Sequence, residues 1–123
     1  MTKSAIASVA LTALLAATAA QAGDAAKGKD VFKRCAICHR DDKGGGNGLG
    51  PNLFGIVGRK AGSLPGFSYS AAMRNSGIVW SQDKLTAYVT HPAQVVPGNR
   101  MAFAGIGNPQ MVSDLVAYLA TLK

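Results

Sequence analysis

Two cysteines and a histidine stand together in the stretch FKRCAICHRDD, residues 32–42. Cys35 and Cys38 are three positions apart, and His39 follows the second cysteine directly. Four kinds of site use thiols and an imidazole at such short spacing: a disulfide, a redox dithiol, a zinc site and a covalently attached haem. The chain has no other cysteine, so the choice between these four concerns this one motif.

The spacing of the motif favours haem. Thiols at positions i and i+3 of a helical end point to one side, where they can form thioethers with two vinyl groups on one porphyrin edge while His39 reaches the iron. A disulfide would close a very short loop and leave His39 without a role. A thioredoxin-like dithiol would open a helix after a strand, whereas this motif closes a helical pattern. Structural zinc needs four protein ligands, and the motif supplies three, with His91 the only other histidine.

Helical periodicity surrounds the motif. Small and apolar residues recur at helical spacing over residues 24–36, which predicts a first helix that ends in the motif. A short helix is predicted over 70–76. Another is predicted over 82–91, where Ser81 is a suitable N-cap and Pro92 should end the helix.

The C-terminal segment has the clearest helix signals. Asn108 is a suitable N-cap, and Pro109 fits the first helical position. Apolar residues then recur at i, i+3, i+4 and i+7 and form one face: Val112, Leu115, Val116 and Leu119. This segment is therefore predicted to be a helix that buries one side.

Two long segments rich in glycine, residues 40–70 and 92–108, separate these helices. They show almost no strand pattern, and loops of this length inside a small domain usually serve a function. We therefore predict an all-α single domain with short central helices, whose loops wrap a cofactor.

The first 22 residues have the features of a secretory signal. Lys3 is followed by an Ala-rich apolar run over residues 5–20, and Ala20-Gln21-Ala22 has the small-x-small pattern of a cleavage site. A retained anchor is the alternative, but the run is short for a bilayer span of about 20 residues. Cleavage would leave residues 23–123, which contain no other long apolar run, so we expect a periplasmic domain without stable membrane insertion.

The sequence is strongly basic. It has 13 Lys and Arg residues against 6 acidic ones, all of them Asp, which gives a formal net charge of +7. Such an excess favours acidic partners or anionic surfaces. Nucleic acid is not expected as a partner, because the chain is predicted to be exported and carries no known nucleic-acid-binding motif.

The chain resembles the class I cytochromes c, in the high-potential form of bacterial periplasmic and mitochondrial carriers. Five stretches carry the resemblance across residues 23–123, in the family's order and near its spacing: GDAAKGKDVFKRCAICH, GPNLFGIVGRKAGSLPGFSYS, GIVW, AYVTHP and VPGNRMAFAG. The resemblance implies the all-α class I cytochrome c fold, with crossing terminal helices. It also implies one haem c attached through Cys35 and Cys38, with His39 as an axial ligand.

The resemblance further implies that Met101 is the second axial ligand. The candidates for this position are Met73, Met101, Met111 and His91. Met101 follows the PGNR turn in a loop and falls at the family's ligand position. Met111 begins an apolar helix and fits core packing, Met73 could line the haem pocket, and His91 ends a helix at the surface.

Five other residues match family positions around the haem. The carbonyl of Pro51 would accept a hydrogen bond from the second ring nitrogen of His39. Tyr88 would approach the sulfur of Met101. Three residues would hydrogen-bond or pair with a buried haem propionate: Arg59, Tyr69 and Trp80. For the aromatic residues, plain core packing is the alternative.

The terminal helices and the pocket border can be compared with the family in the same way. Four residues match the contact where the terminal helices cross: Gly28, Phe32, Leu115 and Tyr118. Three residues depart from the usual pattern at the pocket border: Asn99 stands where Thr is frequent, Met73 where a polar residue is usual, and Val95 where an aromatic is common. The resemblance therefore leaves the hydrogen bonds and the potential of the pocket undetermined.

The function implied by the resemblance is that of a soluble, monomeric one-electron carrier. It would shuttle between a membrane reductase, such as a bc1-type complex, and an oxidase or a photosynthetic reaction centre, and would dock on acidic surfaces of these complexes. No substrate would be transformed. The main alternative is a haem enzyme or gas-binding protein with an open iron position, and a further one is a thiol-handling or structural protein without haem.

Overall fold

The computed structural model describes residues 23–123, together with Met1, Ala10, Thr12 and Ala13. The predicted export signal over residues 1–22 therefore lies outside the described residues, apart from those four positions. Within 23–123 the chain forms five helices: α1 (Ala25–Phe32), α2 (Ala71–Arg74), α3 (Gln82–Thr90), α4 (Pro92–Val95) and α5 (Pro109–Leu119). Residues 23–123 contain no named strand, only an isolated bridge between Lys60 and Val79. The predicted all-α fold is confirmed.

Side-chain caps begin the helices where the sequence predicts them. The Ser81 hydroxyl accepts the backbone N–H of Lys84 at 3.1 Å and begins α3. The Asn108 side chain accepts from the N–H groups of Gln110 and Met111, directly before α5. Each cap satisfies amide donors that have no partner inside the helix.

The first helix is shorter than predicted. α1 ends at Phe32, whereas the periodicity extended it to residue 36. After Phe32 the backbone passes into turns with mixed spacing: the Cys35 N–H donates to the Phe32 carbonyl at 2.7 Å, and the Cys38 N–H donates to the Cys35 carbonyl at 3.0 Å. Two i to i+4 bonds remain in the same segment, from the Ala36 N–H to the Phe32 carbonyl at 2.9 Å and from the His39 N–H to the Cys35 carbonyl at 2.8 Å, so the thiols lie on turns that combine α-helical and tighter spacing.

The second long loop contains a short helix that the sequence analysis missed. The sequence predicts that Pro92 ends α3, and Pro92 does follow the last turn of that helix. Pro92 also occupies the first position of α4. A proline fits this position because the first helical N–H needs no partner within the helix. The helix before the proline and the helix after it are therefore separated only by His91.

The terminal helices α1 and α5 cross at Gly28. A β-carbon built on Gly28 would lie 1.9 Å from the carbonyl oxygen of Asp114 and 2.8 Å from the β-carbon of Tyr118. Only glycine permits this approach of the two backbones. One turn further along α1, the rings of Phe32 and Tyr118 pack with their centroids 5.4 Å apart.

The apolar face of α5 forms the centre of the core. All four residues predicted to face inward are buried: Val112, Leu115, Val116 and Leu119. They belong to one cluster with Phe32 of α1, Leu85 and Tyr88 of α3, and Trp80. Among the described helices, none combines the length and the apolar character needed to cross a membrane.

Candidate haem site

The two thiols lie side by side on the turn that follows α1. Cys35 and Cys38 are both free and half-buried. Burial raises the pKa of the Cys35 thiol to about 11, and this outweighs the opposing effect of the Arg34 cation. The thiol is therefore neutral, unlike the activated thiolate of a redox dithiol.

The imidazole of His39 is oriented by a backbone carbonyl. Its Nδ1 lies 2.7 Å from the carbonyl oxygen of Pro51, the acceptor that the resemblance implied. A carbonyl only accepts, so Nδ1 must carry the proton and Nε2 retains its lone pair. Burial lowers the pKa of this imidazole, and the bond to Pro51 opposes that effect. The ring is thus held as a neutral tautomer with one nitrogen available to a metal.

Glycine makes room for this ring. The Gly50 N–H donates to the Cys38 carbonyl at 2.9 Å, which holds the two segments together. A β-carbon on Gly50 would lie 2.5 Å from Cε1 and 2.8 Å from Nδ1 of His39. The imidazole therefore packs against the backbone of Gly50, in a space that the β-carbon of any other residue would occupy.

Asn52 organises the turn that carries Pro51, and the sequence analysis did not single it out. This buried side chain donates to the carbonyls of Asp42 and Gly46, at 2.9 and 3.0 Å. It also accepts the N–H of Phe54 at 2.8 Å. An asparagine after Pro51 in a glycine-rich loop could have indicated this role, because asparagine side chains often bond to nearby backbone in turns.

The Met101 thioether lies beside an aromatic pair. The Tyr88 hydroxyl is 4.0 Å from the Met101 sulfur, a weak O–H···S contact. Tyr88 in turn packs on Trp80, with ring centroids 4.9 Å apart. Burial raises the pKa of the Tyr88 phenol to about 12, so the phenol is neutral and can donate its proton to sulfur. The sequence-predicted approach of Tyr88 to Met101 is present in the geometry.

Arg59 and Tyr69 form a third group. The Arg59 guanidinium donates to the carbonyls of Asn52, at 2.7 Å, and Phe54, and it contacts the Tyr69 phenol. Burial lowers the pKa of Arg59. In the part of the chain that the structure describes, the one ion pair joins Lys33 and Asp30, so Arg59 has neutral partners only. A half-buried cation without a counter-charge is suited to an anionic group of a cofactor.

The other candidate ligands lie elsewhere. Met111 is half-buried in the first turn of α5, and Met73 is half-buried on α2, where both pack against the core cluster. His91 is exposed at the end of α3. Met101 differs from Met73 and Met111 at the sulfur: within the described residues, only the Met101 thioether has a hydroxyl donor, that of Tyr88, within contact distance.

The three groups are linked by the backbone. The Trp80 N–H donates to the Arg59 carbonyl at 2.9 Å, which joins the aromatic pair to the arginine group. The Arg59 guanidinium donates to the carbonyl of Asn52, and Asn52 follows Pro51, whose carbonyl holds His39. The arginine group is therefore also connected to the histidine. The donor set of two thiols, an imidazole nitrogen and a thioether, with an unpaired cation nearby, fits a covalently attached haem.

Comparisons with known proteins support the same cofactor. The Cytochrome c family matches residues 25–123. The cytochrome c2 of Rhodomicrobium vannielii is 47% identical over 116 residues, which cover 94% of this chain and 93% of the relative. The cytochrome c of Guizotia abyssinica is 45% identical, over 81% of this chain and 91% of the relative.

A solved structure agrees with these sequences. Cytochrome cH from Methylobacterium extorquens superposes with a TM-score of 0.75 at 43% identity, over 80% of this chain and 99% of that one. Sequence and fold thus agree over most of the described domain. The chain belongs to the cytochrome c family, and it is an electron carrier with a covalently attached c-type haem.

Proposed function

We propose that this chain is a periplasmic one-electron carrier in which His39 and Met101 are the two axial ligands of the haem iron. The haem supplies a metal centre that is oxidised and reduced by one electron. The observation that carries the proposal is the pair of preorganised donors: an imidazole with a free Nε2, held by the Pro51 carbonyl, and a thioether beside the neutral Tyr88 phenol.

The protein groups favour transfer of an electron over transformation of a substrate. Two strong protein ligands leave no coordination position for a substrate, so the chain is not an enzyme under this proposal. A thioether ligand and a buried site both favour the ferrous state, because they disfavour the extra positive charge of ferric iron. The unpaired Arg59 cation, with Tyr69 and Trp80, would hold a propionate and orient the cofactor.

The proposed location is the periplasm. It rests on the signal-like residues 1–22, with cleavage after Ala22 and a domain over 23–123. Gly23 packs closely on α5, where a β-carbon would meet the Ser113 carbonyl at 2.0 Å, so a glycine suits this first position of the domain. The mass of the protein purified from a periplasmic fraction tests the cleavage site, and sedimentation tests the expected monomer.

The proposed partners are membrane-bound redox complexes with acidic docking surfaces, such as a bc1-type reductase and an oxidase or photosynthetic reaction centre. Two large apolar side chains are exposed at the haem attachment motif: Ile37, which lies between the two cysteines, at 80%, and Leu49, in the loop that follows, at 83%. The Gly50 N–H bond to the Cys38 carbonyl brings their two segments together. We call these two apolar side chains, together with the exposed Arg34 and Arg40, the motif surface. On this surface, apolar groups that would contact a partner lie between positive charges that would attract it.

The test of the ligand assignment is Met101→Ala. We expect the variant to retain its haem, because the thioethers of Cys35 and Cys38 remain, but to lose the weak near-red absorption band of ferric iron bound by sulfur. Its potential should fall, and cyanide, carbon monoxide or peroxide should bind faster. Met111→Ala is the matched control: it should keep the spectrum and lose about 1–2 kcal/mol of stability, because this methionine is only half-buried.

Two outcomes would contradict the proposal. If Met101→Ala keeps the native band and potential while a substitution of Met73, Met111 or His91 abolishes them, another residue is the ligand. If the native protein itself binds carbon monoxide rapidly and turns over peroxide, the iron has an open position and the chain is a haem enzyme or gas-binding protein.

A further inference from the structure

One asparagine side chain bridges the loop between α4 and Met101, and the backbone N–H of the same residue, Asn99, donates to the Val96 carbonyl at 3.1 Å. The amide nitrogen of Asn99 donates to two backbone carbonyls, that of Val96 at 2.9 Å and that of Pro92 at 3.2 Å. Its amide oxygen accepts the backbone N–H of Met101 at 2.9 Å. Both donor positions and the acceptor of a single half-buried side chain are therefore used.

These bonds connect a helix to the residue that carries the thioether. Pro92 is the first residue of α4 and Val96 directly follows that helix, whereas Met101 lies beyond the turn at Pro97 and Gly98. The Met101 amide is thus fixed to α4 by the Asn99 side chain. A threonine, the frequent residue at this position in the resembling family, has one hydroxyl proton and could not donate to both carbonyls.

A second side chain, that of Arg100, connects the same loop to a distant segment of the chain. The Arg100 guanidinium donates to the carbonyl of Tyr69 at 2.7 Å, across 31 positions of sequence. The Arg74 guanidinium donates to the same oxygen. The residue directly before Met101 is therefore tied to the segment that begins α2, and this tie does not involve Asn99.

We propose that Asn99 is a positioning residue that keeps the Met101 thioether at the iron, with Arg100 as a second anchor. The inference rests on the proposed ligation by Met101. Without the Asn99 bonds, the Met101 amide is free to move relative to α4, and the sulfur leaves the iron more often. An exogenous ligand then gains access during these openings, while the thioether bonds of Cys35 and Cys38 are unaffected.

The test compares binding of imidazole to the ferric holoprotein in matched variants. Asn99→Ala should bind imidazole faster, on the order of tenfold if one net hydrogen bond is lost from the closed state. Asn99→Thr, which retains an oxygen for the Met101 N–H, should lie between Asn99→Ala and the native protein. Arg100→Ala should also accelerate binding, and because Asn99 and Arg100 are adjacent and hold the same loop, the double variant is expected to deviate from the sum of the two single effects.

Asn108→Ala is the matched control. Asn108 also accepts two backbone N–H groups, at the start of α5, so its loss should lower the stability of the protein without changing imidazole binding. The proposal is overturned if Asn99→Ala binds imidazole at the native rate, or if Asn108→Ala accelerates binding as much. Should Asn99→Ala fail to fold, the native rate in Asn99→Thr would overturn it in the same way.

A parallel Met101→Ala variant separates this inference from the ligand assignment. If Met101→Ala keeps the near-red band, the proposed ligation itself is wrong. If Met101→Ala loses the band while Asn99→Ala and Asn99→Thr behave like the native protein, Met101 is the ligand and only the role of Asn99 is refuted.

Discussion

Among single residues, the orientation of His39 depends on the absence of a side chain at Gly50. The ring lies against Gly50, and the Pro51 carbonyl holds Nδ1 at 2.7 Å. The glycine provides space and the proline provides an acceptor, so two adjacent residues determine both the position of the ring and its tautomer. The identity of His39 alone determines neither.

Gly50→Ala should therefore disturb the histidine directly. The new β-carbon would lie 2.5 Å from Cε1 of the ring, so ring or backbone must shift. We expect a loss of about 1–3 kcal/mol in the free energy of unfolding, as for overpacking of a core, together with a changed haem spectrum. Denaturant unfolding and absorption spectra of the holoprotein measure these effects.

Gly107→Ala is the control for this substitution, because a β-carbon there meets nothing within 4 Å and the backbone does not require glycine. It should leave stability and spectrum unchanged. If Gly50→Ala keeps the native stability and spectrum, the His39 ring is not in close contact with the backbone at this position.

At the scale of elements, the crossing of α1 and α5 places the haem attachment turn. The turn begins where α1 ends, at Phe32, and α1 is held on α5 by the close approach at Gly28. Beyond the turn, the Tyr118 hydroxyl of α5 donates to the carboxylate of Asp41, two residues after His39. The C-terminal helix thus contacts the chain on both sides of the motif.

Gly28→Ala should separate the two helices. Its β-carbon would lie 1.9 Å from the Asp114 carbonyl oxygen, a backbone atom that cannot rotate away. We expect destabilisation of about 3 kcal/mol or more, measured by denaturant unfolding of the holoprotein. Lys29→Ala, at an exposed position of the same helix, should change stability little, and an equal loss in both variants would argue against the crossing as the cause.

Asp114 should make the contact between α5 and the start of α1 sensitive to acid. Its buried carboxylate accepts the Asp24 N–H at 2.8 Å and the Gln110 amide at 2.9 Å, and these bonds lower its pKa. Because the folded pKa is below the unfolded value of about 3.9, its contribution is complete above that pH and is lost as pH falls through the folded pKa.

The variant Asp114→Asn should therefore be less stable than the native protein at pH 7, and the difference should shrink as the pH is lowered below the unfolded pKa of about 3.9. Unfolding curves at several pH values measure this convergence. A gap between Asp114→Asn and native protein that is constant with pH would contradict the role of the carboxylate charge.

For the whole molecule, the excess of basic residues should govern encounters with the proposed acidic partners: the full sequence has a formal net charge of +7, and the proposed cleavage after Ala22 would remove Lys3 and leave +6. The motif surface combines the cations of Arg34 and Arg40 with the exposed side chains of Ile37 and Leu49. Cations attract an acidic partner over about 10 Å at moderate salt, whereas apolar contact acts only after docking. The two features therefore act at different steps of association.

Electron transfer to an acidic membrane complex should slow as salt is raised. We expect the second-order rate constant to fall about tenfold or more between low and physiological ionic strength, because screening removes the electrostatic steering. Stopped-flow mixing with the purified complex measures this rate. Arg34→Gln and Arg40→Gln should reduce both the low-salt rate and its salt dependence, and Lys84→Gln on α3 should do so less. A rate that does not depend on salt would show that the basic surface is merely solvated.

Features that depend on neighbouring residues could be predicted from the sequence. The CAICH motif identified the attachment chemistry, the side chains of Ser81 and Asn108 marked helix starts, and the spacing from Val112 to Leu119 marked the buried face of α5. Such signals are local because a cap or an apolar stripe involves atoms within a few positions of one another.

Features that depend on the path of the loops are set by long-range contacts and became visible in the structure. The end of α1 at Phe32, the short helix α4 after Pro92 and the three bonds of Asn99 were not predictable from periodicity. The Arg100 contact with the Tyr69 carbonyl spans 31 positions. In a glycine-rich loop many backbone paths are sterically open, and which of them is followed depends on distant partners that no local pattern records.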